Sequence, residues 1–142
     1  CDGQHCPSVQ FTANPVTRGA FKAFIDHTHL QTTAEKKKQC YVEQLDKWQA
    51  VSGMFWGNVL VGEDDQQMVR CISQSDAENY AQWLSNRRSD GRSYRIPTIK
   101  EWHSFLDSQG YSTDNRLEAC ARLGNNAPCY SHPQFGLHLI LE

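Results

Sequence analysis

The run Val69-Arg70-Cys71-Ile72-Ser73, followed by Asp76-Ala77, Tyr80 and Trp83-Leu84, and then Tyr94-Arg95-Ile96-Pro97-Thr98 with Glu101-Trp102, carries the strongest local signals in the chain. Ser73 with Asp76 three residues on opens a helix in the manner of a capping box, although Glu or Gln is the usual partner. Ala77, Tyr80, Ala81 and Leu84 then share one face, with Trp83 beside them. Residues 86–91 end that helix. Tyr94-Arg95-Ile96 reads as extended, because a residue before proline avoids the helical region. Thr98 with Glu101 is a full capping box for the next helix, whose buried face is Trp102, Phe105 and Leu106.

Working outward, Val9-Gln10-Phe11 alternates like a strand within residues 1–13. Asn14-Pro15-Val16-Thr17 leads into a first helix with Thr17 as N-cap and Ala20, Phe21, Phe24 and Ile25 as its apolar face. That helix ends near His27-Thr28-His29. Residues 30–68 show weak periodicity, with Gly53, Gly57 and Gly62 as breakers. They read as a long, irregular loop tacked down by Trp48, Phe55 and Trp56, and loops of that length are usually functional. Residues 107–131 are turn-rich, and Phe135 to Leu141 reads as a terminal strand. Helices with strands at both ends give an α+β domain.

The chain has 142 residues and is read as one domain, 1–142, large enough to bury a core. A net charge of −2 shows no basic footprint for nucleic acid. The basic run Lys36-Lys37-Lys38 reads as solvated. No apolar run approaches a membrane span. The first residue is Cys1 rather than Met, which reads as a processed protein or an excised domain.

Cysteines stand at 1, 6, 40, 71, 120 and 129. An even count in a small domain favours disulfides and an oxidising compartment, so the reading is periplasmic or secreted. Zinc ligands are usually closely paired, and here even Cys1 and Cys6 have four residues between them. His27 and His29 at a helix end do not face one direction and read as a C-terminal cap. His103, His132 and His138 are isolated. Asp46, Asp64 and Asp65 are the carboxylates to consider for calcium, which needs several oxygens at tight spacing. No Ser-His-Asp constellation or phosphate loop is recognisable.

Several separated strings resemble the formylglycine-generating enzyme family, also called sulfatase-modifying-factor domains. Asn14-Pro15-Val16-Thr17 with Phe21 and Phe24 is similar to its opening segment. Thr33-Ala34-Glu35 resembles a Thr-Glu-Ala-Glu run. Cys40-Tyr41-Val42, Trp48 and Trp56 resemble a bacterial subset with a cysteine there and a second one where Cys71 stands. Tyr94 to Trp102 resembles Tyr-Arg-Leu-Pro-Thr-Glu-Ala-Glu-Trp. Phe135-Gly136-Leu137-His138-Leu139 sits where members close with Gly-Phe-Arg and an apolar strand. The match covers residues 14–106 well and the terminal strand loosely. It implies a C-type-lectin-like fold: short helices on small antiparallel sheets, long irregular loops and paired terminal strands.

The departures bear on activity. The family's Asn-Val-Trp-Glu-Trp and Arg-Gly-Gly-Ser-Trp strings are absent, and only 28 residues separate Leu106 from Phe135. The catalytic members place two copper-binding cysteines with four residues between them, whereas Cys120 and Cys129 have eight residues between them. The His-rich iron motif of ergothioneine-pathway relatives is missing. His138 replaces the closing Arg.

The expectation is therefore a non-catalytic, disulfide-stabilised extracytoplasmic binding or sensory domain needing no cofactor. Bacterial relatives of this type serve as outer modules of membrane-anchored Ser/Thr kinases and as regulators linked to secretion. Its partner would be a protein, a peptide or a small ligand at a loop face formed by residues 41–68 and 107–134. Trp48, Phe55, Trp56, Tyr111 and Tyr130 are the binding-surface candidates. The alternatives are a reduced copper-dependent oxidase of a peptidyl cysteine, using Cys120 and Cys129, and a calcium-dependent sugar-binding lectin, whose Glu-Pro-Asn or Gln-Pro-Asp triplet is absent. The expected disulfides are Cys40–Cys71, Cys120–Cys129 and Cys1–Cys6. In the other readings, the first two pairs are reactive thiols and Cys1 is lipidated.

Overall fold

A computed structural model describes residues 10–44, 47–58, 65–110, 120, 122–123, 127–129 and 136–142. Its elements in chain order are β1 (Gln10–Phe11), α1 (Arg18–Thr28), α2 (Thr33–Lys37), β2 (Gln39–Gln44), β3 (Lys47–Ser52), α3 (Gln74–Asn86), β4 (Tyr94–Arg95), α4 (Ile99–Ser108) and β5 (Ile140–Leu141). One antiparallel sheet has the order β1-β5-β4, so the terminal strand lies between the two others. The second sheet is the β2–β3 hairpin. Short helices on small antiparallel sheets, with the first and last strands paired, make this the α+β arrangement expected.

Each long helix starts where its cap dictates. Thr17 Oγ1 accepts from the Ala20 N–H at 3.1 Å, and His29, left-handed at φ 57°, closes α1 with its N–H on the Ile25 carbonyl. Ser73–Asp76 and Thr98–Glu101 are reciprocal capping boxes, each side chain accepting from the other residue's N–H. The faces they direct inward meet in one core. Phe21 and Phe24 of α1 pack with Ala77, Tyr80 and Ala81 of α3, over Val69, Ile72, Leu137 and Leu139. Burying one such large apolar side chain contributes about 1.5–3 kcal/mol. Trp102 and Leu106 of α4 are buried in a second cluster, while Phe105 and Trp83 are only half-buried.

Residues 30–68 differ from the irregular loop expected. They contain α2 and the hairpin. Five residues are too few to show helical periodicity, but α2 has a capping box of its own, Thr32 with Glu35. In the hairpin both faces are partly covered, which hides the alternation that marks a half-buried strand. The terminal strand is shorter than expected. Among the described residues of this segment only Ile140 and Leu141 form a strand, although Val16 N–H and Thr12 N–H bond the Leu137 and Leu139 carbonyls. The expectations for residues 1–9, Asp46, Asp64, Tyr111, Tyr130, His132 and Phe135, and for the Cys1–Cys6 pair, lie outside the described residues.

Candidate functional site

The part of the expected loop face that is described is built on the hairpin. Alternation along β2 sends Cys40 and Val42 to one side and Tyr41 to the other. On the first side Cys40 is bonded to Cys71, their Cα atoms 5.6 Å apart, in a small cluster with Ala34, Met54 and Phe55. Across the opposite side, Tyr41 and Trp48 pack on Cys120, Ala127 and Cys129. Tyr41 also donates its N–H to the Pro128 carbonyl at 3.4 Å. Cys120 and Cys129 form the second disulfide, with Cα atoms 5.9 Å apart. Each face of the hairpin is therefore held by a disulfide.

Beside the first disulfide the starts of α2 and α3 meet. Asp76 is 3% exposed, yet its carboxylate accepts from the Ser73 N–H at 2.8 Å and from the Thr33 N–H at 3.2 Å. Thr33 and Ser73 hydroxyls bond each other at 2.7 Å. Burial pushes the Asp76 carboxyl up from its ordinary value, and the Ser73 and Thr33 hydrogen bonds offset this only in part. On the α2 side, Glu35 Oε1 accepts from the Thr32 hydroxyl at 2.9 Å and from the Trp56 indole N–H at 3.1 Å.

The aromatic candidates have distinct surroundings. Trp48 is half-buried against Cys120, Ala127 and Cys129. Phe55 and Trp56 stand edge to face at 6.1 Å, and Trp56 also meets core Phe21 at 5.6 Å. Trp56 is thus tied to the core by its ring and to α2 by its N–H.

His27 and His138 pack against aromatic rings. His27 lies 5.9 Å from the Trp83 ring, whose face also carries the Arg87 guanidinium at 4.8 Å. His138 is 5% exposed, packs 5.1 Å from Phe105 and donates Nδ1–H to the Thr12 carbonyl at 2.9 Å. His138 therefore pins the segment after β1 to the one before β5. Among the described residues no group of three or more His, Cys, Asp or Glu could hold a metal.

A concavity opens between α3 and β4. Its volume is about 560 Å³, and Glu78, Gln82, Tyr94, Arg95 and Ile96 are among the residues lining it. Arg95 at its rim forks onto Glu101 at 2.7 and 2.8 Å and reaches Glu142 at 2.7 Å. Only the i, i+4 spacing of Glu78 and Gln82 could have flagged a polar stripe on α3.

A family model of the sulfatase-modifying factor enzyme 1-like domain matches residues 4–132. The chain belongs to this family. No curated protein shows significant similarity to it. In sulfatase-modifying-factor domains that act as oxidases, copper needs free thiolates, because the thiolate and not a disulfide sulfur is the ligand. Here Cys120 and Cys129 are bonded to each other and are 3% and 4% exposed. In this covalent state the pair does not fit copper. Among the described residues no helix is long and apolar enough to cross a membrane.

Proposed function

We propose that this sulfatase-modifying-factor domain is a single non-catalytic binding or sensory module working in an oxidising, extracytoplasmic compartment. It would bind a protein, a peptide or a small ligand at the loop face built on the hairpin. The observation that carries the reading is the buried Cys120–Cys129 disulfide packed under Tyr41 and Trp48. The sulfurs that would have to do the chemistry serve instead to hold the hairpin. Catalysis depends on positioned groups, and their loss removes orders of magnitude in rate. The absence of the family's tryptophan- and glycine-rich strings supports the same conclusion. Two disulfides support the oxidising compartment. The resemblance to outer modules of bacterial Ser/Thr kinases and to secretion regulators supplies the biological setting proposed.

The test is to incubate the domain with Cu(I) and a cysteine-bearing sulfatase-type peptide and to look for aldehyde by mass spectrometry. We expect no turnover above a Cys120→Ala, Cys129→Ala control. Turnover above that control would overturn the reading in favour of a copper oxidase. Thiol titration of the native protein should find no accessible thiol at these two positions.

A further inference from the structure

Among the described residues, the outer edge of β3 has no partner strand. The Gly53 N–H bonds the Lys38 carbonyl at 2.7 Å, which sets the phase of the antiparallel ladder. Bonded pairs then alternate with non-bonded ones, so Cys40↔Val51 and Val42↔Gln49 exchange hydrogen bonds while Tyr41↔Ala50 does not. Tyr41 confirms the phase, since its N–H points away from β3, to Pro128. By the same alternation Trp48, Ala50 and Ser52 turn their N–H and C=O groups outward. No backbone hydrogen bond from another described residue meets them, and Lys47, Gln49, Ala50 and Ser52 are exposed. An unpaired, exposed edge is a template for another strand, and natural sheets usually guard it with charges, proline or bulges. β3 carries one charge, Lys47, at its end, and no proline.

We propose that this edge pairs with the same edge of a second copy, antiparallel, about a two-fold axis at Ala50. Three features favour a second copy. Centring on Ala50 satisfies every outward group, because Trp48 pairs with Ser52 of the other copy, Ala50 with Ala50, and Ser52 with Trp48. That makes on the order of six new backbone hydrogen bonds, two per bonded pair. Centring one residue either way leaves some of them unpaired. The same register sets each large Trp48 beside a small Ser52 and brings two alanines together at the axis, so no bulky side chains collide. It also places the two Lys47 residues six positions apart, about 20 Å at ~3.4 Å per residue. That exceeds the screening length of about 8 Å at physiological salt, so the only charge on the strand does not oppose the pairing. The result is a four-stranded sheet in which the two β3 strands are central and the two β2 strands are outermost. Its area is small, so the dimer is weak and concentration-dependent. This proposal does not depend on whether the domain is catalytic.

The experiment is sedimentation equilibrium of the oxidised protein from about 10 μM to 1 mM. It is paired with amide NMR over the same range. A dimer should form, with concentration-dependent shifts at the Trp48, Ala50 and Ser52 amides and smaller ones at Gln49 and Val51. Ala50→Lys and Ala50→Glu each place like charges at the axis. Each should weaken dimerisation at least about tenfold, and an equimolar mixture of the two should restore a mixed dimer. Ala50 is exposed and its N–H is not used within the hairpin, so these variants should keep the native fold, checked by circular dichroism. A protein monomeric at 1 mM would overturn the proposal and leave the edge for a strand from a different protein. So would a dimer unaffected by either variant, or a mixture that stays monomeric.

Discussion

Removing the Cys40–Cys71 bridge should cost more than removing Cys120–Cys129, by an amount set by loop length. The first closes a separation of 31 residues and the second one of 9. Loop-closure entropy then gives about 3.7 kcal/mol for the first and about 2.6 kcal/mol for the second at 25 °C, a difference of about 1 kcal/mol. Against a whole-domain stability of roughly 5–15 kcal/mol, the larger figure decides whether much of the protein stays folded on mild heating. The backbone refines the prediction, because Cys71 sits at φ 63°, a left-handed conformation unfavourable for any residue with a Cβ. A Cys40→Ala, Cys71→Gly double variant should therefore be about 1 kcal/mol more stable than Cys40→Ala, Cys71→Ala. Urea unfolding with linear extrapolation, on these two and on Cys120→Ala, Cys129→Ala, measures all three quantities. A loss below about 1.5 kcal/mol for Cys40→Ala, Cys71→Ala would refute the loop-entropy reasoning. A glycine variant no more stable than its alanine counterpart would refute the backbone argument.

Thr98→Ala should cost about 1 kcal/mol by removing the acceptor for the Glu101 N–H. That is a fall of roughly 3–5 °C in a thermal melt, and an unchanged melt would show that the cap contributes nothing. Trp56→Phe keeps the contact with Phe21 and loses the bond to Glu35, so urea unfolding should register a loss of about 1 kcal/mol. The Arg95 fork holds the Glu101 carboxyl down at about 2 from an ordinary 4.5. A carboxyl depressed in the folded state contributes stability that is complete above its unfolded value and is lost as pH falls through its folded one. Glu101→Gln should therefore lose less of its melting temperature between pH 5 and pH 2 than the parent does, and equal losses would show that this pair is screened out by solvent.

What the sequence disclosed was whatever is decided within a few residues. Thr17, Ser73 with Asp76, and Thr98 with Glu101 each name a helix start by chemistry three positions away, and all three stand where expected. The two disulfides also pair as expected. The misses arose where a neighbour distant in sequence sets the pattern. α2 could have been found from Thr32 and Glu35, but its one buried side chain, Ala34, makes no periodic stripe. In the hairpin, Tyr41 and Trp48 are covered by Cys120, Ala127 and Cys129, and Cys40 by Cys71, so neither face reads as solvent. The groove between α3 and β4 depends on how a helix and an edge strand are set against each other, and periodicity carries no record of that.

Asp76 gives a small example of tertiary structure written into a local code. A third-position partner in a capping box is ordinarily a glutamate, and Thr32 and Thr98 both have one. Ser73 has the shorter residue, and the reason lies 43 positions earlier in the chain, at the Thr33 amide that the same carboxylate serves. An added methylene would drive the carboxylate into the junction where the two helix starts touch. The choice between two acids that differ by one carbon therefore records which helix lies next door.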